Sequence, residues 1–110
     1  MTAVAQGRLA ASHDAPDVGE RTVALAEADG FRVEQILSGL LDEPQHYEQE
    51  HDEWVVVLTG HAVLEVEGVE RPLGVGDWWL LPAGTPHRLL RTEPGTSWLA
   101  VRSNGASERA

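Results

Sequence analysis

At 110 residues the chain is the length of one domain, and its 42% hydrophobic residues set it apart from a disordered sequence. A formal net charge of -10, with no lysine and eight scattered arginines, argues against nucleic acid and against anionic membrane surfaces as partners. With no cysteine, disulfides and thiol catalysis are excluded, and any metal must be held by nitrogen and oxygen ligands.

Residues 1–20 are rich in Ala, Gly, Asp and polar side chains and read as a flexible N-terminal arm. A short helix over Val4–Ala11 is the most that this segment suggests. It has neither a basic start nor a long apolar run, so no secretory signal is expected, and a cytoplasmic setting is the default. No stretch approaches the roughly 18 apolar residues that span a bilayer.

From Arg21 onward, short apolar runs are broken by Gly and Pro at a spacing of roughly eight to twelve residues, the rhythm of an all-β sandwich or barrel. Strands are predicted over Thr22–Ala26, Arg32–Ser38, Gln45–Gln49, Glu53–Thr59 and Ala62–Val66. They continue over Val69–Pro72, Asp77–Leu81, His87–Arg91 and Ser97–Arg102. Ala62-Val63-Leu64-Glu65-Val66-Glu67 shows the period-two pattern of a half-buried strand. Trp54-Val55-Val56-Val57-Leu58 is apolar on both faces, as suits an inner strand. Turn signals at Thr59-Gly60, Glu67-Gly68, Gly74-Val75-Gly76, Pro82-Ala83-Gly84 and Glu93-Pro94-Gly95 separate them. The barrel is therefore assigned to residues 21–103, and 104–110 to a C-terminal tail.

All four tryptophans fall on predicted strands. Core and sheet-face packing accounts for most of them, and one or two can line an apolar pocket. Trp78 and Trp79 are adjacent and must face opposite ways, so one of the two is expected on the outside, where it marks a dimer interface or a sheet-to-sheet contact.

Two stretches resemble the paired motifs of the cupin family. Gly76-Asp77-Trp78-Trp79-Leu80-Leu81-Pro82-Ala83-Gly84-Thr85-Pro86-His87 fits the second, G-x5-P-x-G-x2-H-x3-N, at every position through the histidine. Arg91 stands where that pattern has Asn. Glu53 and Gly60, with six residues between them, fit the end of the first pattern, G-x5-H-x-H-x3-4-E-x6-G. The His-x-His part departs: one register places His46 and Glu48 there, the other Tyr47 and Gln49. The string from Tyr47 to Val55 is similar to a subgroup with Tyr-x-Gln-x3-Glu-Trp-Val, which favours the second register. In either one the pair lies at i and i+2 and points to one side of a strand.

The resemblance implies an all-β double-stranded β-helix, the cupin jelly-roll barrel. It implies Gln49, Glu53 and His87 as ligands of one divalent transition metal, with His46 and Glu48 in reserve. Tyr47 beside them becomes the candidate catalytic residue. One imidazole, one carboxylate and an amide suit Zn, Mn, Fe, Ni or Co without choosing among them. Composition alone would read the acidic run around Glu53 as a solvated turn and His87 as a hydrogen-bonded strand residue; the motif spacing reverses both. Glu48 or Glu50 could move a proton, and His51 and His61 read as surface residues; Arg88 and Arg91 read as partners of acidic neighbours, with Arg91 alternatively placed to anchor a substrate carboxylate.

The expected function is a metal-binding small-molecule cupin, acting as a homodimer; the family includes enzymes of dioxygenase, isomerase and lyase type, and the residues leave open whether this chain is one of them. A non-catalytic binding or sensing barrel, with or without metal, is the alternative, and a dimerisation domain with a vestigial pocket is a third class. Fold resemblance does not choose a reaction.

Overall fold

The structure is a computed structural model, and it describes residues 3–47 and 49–103. Among the described residues it has nine strands: β1 (Glu20–Ala28), β2 (Phe31–Ser38), β3 (Gln45–Tyr47), β4 (Glu53–Thr59), β5 (Ala62–Val66), β6 (Val69–Leu73), β7 (Trp78–Leu81), β8 (His87–Thr92) and β9 (Thr96–Ser103). Every predicted strand is present, with ends moved by a few residues. No helix forms over Val4–Ala11; a single 3-10 turn at Ser12–Asp14 is all the helical structure described.

The strands form two antiparallel sheets, one in the order β1-β2-β9-β4-β7 and the other β3-β8-β5-β6. Non-sequential neighbours such as β2–β9 and β3–β8 are the jelly-roll connections, and the two sheets close around one core. Leu37, Leu73 and Ala100 are fully buried, and Val57, Leu64, Leu81, Leu89 and Trp98 are nearly so. On β4 the burial alternates, with Glu53, Val55 and Val57 inward and Trp54, Val56 and Leu58 outward. That alternation is the period-two geometry of a strand with one face in the barrel.

Local chemistry sets the turns and edges. Glu67 and Gly68 both have positive φ, at 51° and 81°, and the pair Val66↔Val69 closes a two-residue hairpin around them. Positive φ at both central residues is the turn whose twist matches the flanking strands. Pro72 lacks an N–H and is tolerated because β6 is an edge strand.

The segment before β1 crosses the body of the barrel. Gly19 donates to the Leu40 carbonyl at 2.8 Å, Leu40 to the Asp17 carbonyl at 2.9 Å, and Gln35 bonds both backbone groups of Ala10. A Cβ at Gly39 would overlap the carbonyl oxygens of Pro16 and Asp17, so a glycine there lets the crossing pass.

Candidate functional site

The two cupin motifs meet at one end of the barrel. The turn of the second motif is pinned to the loop of the first: Gly84 N–H donates to the Gln49 carbonyl at 2.7 Å, and Ala83 N–H to Asp52 Oδ1 at 2.9 Å. Tyr47 and His87 are direct cross-strand partners on β3 and β8, and their rings stack with centroids 5.5 Å apart at 20°. On the other sheet Glu53 and Arg102 are direct partners on β4 and β9. Such opposed positions bring side chains into contact.

A cavity of ≈ 90 Å³ lies between these groups, with Glu20, Tyr47, Gln49, Glu53, His87 and Arg102 as polar lining and Ile36, Val55, Leu64, Leu89 and Trp98 among the apolar walls. Glu53 and His87 are each 95% buried by accessible area, being 5% exposed. His87 Nδ1 lies 3.0 Å from the Thr85 carbonyl oxygen, which can only accept. The neutral ring therefore carries its proton on Nδ1 and keeps the Nε2 lone pair free. Nε2 is 3.9 Å from Glu53 Oε1, beyond hydrogen-bond length.

The second Glu53 oxygen is engaged. Arg102 Nε donates to Oε2 at 2.7 Å, and Arg102 Nη1 lies 2.8 Å from Oε1 of the buried Glu34. The latter is an ion pair without hydrogen-bond alignment. Glu20 closes the other side of the cavity: it accepts from the Tyr47 phenol at 2.6 Å and from Ser38 Oγ at 2.7 Å, and Trp98 Nε1 donates to the same hydroxyl at 3.1 Å. Burial first, then the bond and charge of Glu20, push the Tyr47 phenol well above its ordinary pKa. Tyr47 is thus a held proton donor rather than a phenolate.

Of the residues singled out in the sequence, Tyr47, Gln49, Glu53 and His87 all line the cavity. His46 is exposed on β3 and is not among the lining residues, and Glu48 lies outside the described residues. Arg91 does not anchor a ligand here: its side chain is 67% exposed and pairs with Glu70 at 3.5 Å. The β5–β8 register slips between Leu89 and Arg91, so one extra residue turns Arg91 to the outer face although it lies four residues after His87. Glu20 and Arg102 were missed. Glu20 sits at the end of the supposed arm but opens β1, and Arg102 carries no local motif; its only signal was the inward parity it shares with Trp98 and Ala100 on β9.

Among the described residues no group of three or more His, Cys, Asp or Glu converges in a metal-binding arrangement. Two strong donors do face each other, and their 3.9 Å gap is compatible with two metal–ligand bonds of about 2.0–2.2 Å. Gln49 lines the same cavity and is the neutral third candidate. This donor set fits a weakly held divalent cation.

The cupin-domain family profile matches residues 32–101, and the chain belongs to that family. Its fold is similar to that of a proposed mannose-6-phosphate isomerase from Ralstonia eutropha JMP134, with 33% identity, a TM-score of 0.69, and coverage of 90% of this chain and 100% of that one. KdgF from Halomonas sp. is similar at 22% identity and TM-score 0.68, covering 84% of each chain. An RmlC-like cupin from Shewanella frigidimarina is similar at 18% identity and TM-score 0.64, covering 84% of this chain and 82% of that one. A curated relative, an uncharacterised protein of Aquifex aeolicus, is 38% identical over 61 residues, and the match spans 56% of this chain and half of that protein's length. Among the described residues no helix is long and apolar enough to cross a membrane.

Proposed function

We propose that this cupin binds a compact small molecule in the barrel mouth and holds one divalent transition metal there through Glu53 and His87, with Gln49 as third donor. One observation carries the reading: two buried groups, Glu53 Oε1 and His87 Nε2, face each other across 3.9 Å, too far to bond and close enough to share a bound atom. A metal at that place supplies Lewis acidity toward a ligand oxygen. The chain's own residues supply the rest. The Thr85 carbonyl holds the His87 tautomer, Arg102 holds the Glu53 carboxylate, and Tyr47, whose single phenolic proton is donated to Glu20, keeps a phenol-oxygen lone pair as an acceptor. The apolar floor, with Leu64, Leu89 and Trp98, excludes water from part of the ligand.

The isomerase description of the Ralstonia relative agrees with titratable groups facing the cavity from both sheets, Glu20 and Glu53 from one and Tyr47 and His87 from the other. Its phosphate has no evident counterpart here, because the one lining guanidinium is paired with Glu53 and Glu34. An enzyme of isomerase or lyase type on a small uncharged substrate is the form of this reading we favour. A cytoplasmic homodimer completes it, assembled through the outer face of the five-stranded sheet.

A second reading, ligand binding without metal, draws on Arg102, which already gives Glu53 a cation at 2.7 Å. The two are separated by elemental analysis of protein purified without added salts, alongside Glu53→Gln and His87→Ala. Metal in the parent that falls in both variants supports the metal reading. Metal content unchanged in both variants removes it, and a metal-free parent that still binds a small ligand leaves the second.

A further inference from the structure

We propose that Arg102 is the pocket's internal counter-ion and sets how tightly a divalent cation can be held by Glu53 and His87, a role that rests on the metal reading above. Glu53 and Glu34 are only 5% and 7% exposed, and a buried carboxylate needs a compensating charge. The Arg102 guanidinium, itself always protonated, meets both, at 2.7 and 2.8 Å. The sheet register explains why one residue serves two. Arg102 is directly opposite Glu53 on β4 and diagonal to Glu34 on β2, where Arg32 is its direct partner.

From the pocket outward the charges alternate: Glu53, Arg102, Glu34, then Arg32 at 3.8 Å from Glu34 and 3.2 Å from Glu27. A divalent ion between Glu53 and His87 would therefore meet a carboxylate already neutralised on its other oxygen, with a fixed positive charge behind it. Both effects weaken metal binding. Replacing Arg102 by a neutral side chain of similar reach would free Glu53 and Glu34 together. Glu53 would then face His87 Nε2 as a carboxylate with no fixed cation on it, while Glu34, which does not line the cavity, would stay outside the donor set.

The test titrates MnCl2 and ZnCl2 into chelator-stripped full-length protein by calorimetry, with melting temperature as a parallel readout. The proteins compared are the parent, Arg102→Gln, Arg102→Lys, Glu53→Gln and the double variant Arg102→Gln/Glu53→Gln. We expect Arg102→Gln to bind at least one of the two metals about tenfold or more tightly than the parent, since an unpaired buried carboxylate gains most from a new cation. It should also gain more melting temperature on metal addition. Arg102→Lys, which keeps the charge, should stay near the parent, and adding Glu53→Gln should abolish the gain. If Arg102→Gln does not fold, Glu34→Gln/Arg102→Gln removes one stranded charge and is judged by the same tenfold gain against Glu34→Gln.

Equal or weaker binding by the Arg102→Gln protein, or an equal gain in Arg102→Lys, overturns the assignment of Arg102. If the parent still binds metal through Glu53 in that case, the metal reading stands alone. No binding by any of these proteins overturns both.

Discussion

Tyr47 is the chain's one tyrosine, so its ionisation can be followed by tyrosinate absorbance without interference from another phenol. Its proton is held by burial and by the Glu20 carboxylate, and its folded-state pKa lies above the ordinary value of 10.0. The unfolded chain releases that proton at the ordinary value while the folded chain retains it. The associated stability is therefore complete below about pH 10 and is lost as pH rises from there toward the folded-state pKa. Folded protein held at about pH 10.5 should show little tyrosinate, the signal appearing only with unfolding, and Tyr47→Phe should flatten the alkaline fall of the melting curve. A tyrosinate transition with an ordinary midpoint in folded protein contradicts the Glu20 contact. Arg91 gives the opposite kind of test: on the outer face and paired with exposed Glu70, it should be replaceable by Ala within about 0.5 kcal/mol of stability, with ligand binding unchanged.

At the scale of elements, the approach to β1 decides whether Glu20 reaches the cavity. That approach passes over Gly39, where a Cβ would meet two backbone carbonyls rather than a flexible side chain. Gly39→Ala should therefore cost about 1–3 kcal/mol in urea unfolding, the range for overpacking a close contact. Because Ser38 precedes it and bonds Glu20, the same variant should partly restore an ordinary Tyr47 titration. An unchanged unfolding midpoint would show that the crossing segment is not tightly docked. The slip between Leu89 and Arg91 is the other decisive element feature. It keeps His87 and Leu89 inward while sending Arg91 out, so parity counted from the motif histidine fails four residues later.

For the molecule as a whole, stability rests on the shared interior of the two sheets. Leu73 is fully buried on an edge strand of the four-stranded sheet, and Leu73→Ala should cost about 2–5 kcal/mol by leaving a cavity the neighbouring strands cannot close. The proposed homodimer belongs to this scale too. Trp78 and Leu80 are 60% and 56% exposed on the edge strand β7, and Trp78 packs beside Trp54 on the same outer face with ring centroids 6.1 Å apart. Sedimentation of the parent should give a dimer, and Trp78→Glu should shift it to monomer without loss of the fold. A parent that sediments as a monomer at the highest measurable concentration rules out this interface.

Period-two alternation and Gly or Pro turns are local, and they placed all nine strands and the Pro82-Ala83-Gly84 reversal before His87. The interval from Glu53 to His87 likewise reflects a local rhythm, because each lies at the start of a strand whose inward parity is set from its own turn. What no local pattern carries is which strands become neighbours. Arg102 came beside Glu53, and Glu20 beside Tyr47, only through the pairing of β9 with β4 and the crossing of the segment before β1 over Gly39. Strand identity is written in side-chain period and turn chemistry over a few residues. The charge balance of the pocket depends on contacts between residues 27 and 49 positions apart, which exist only after the barrel has closed.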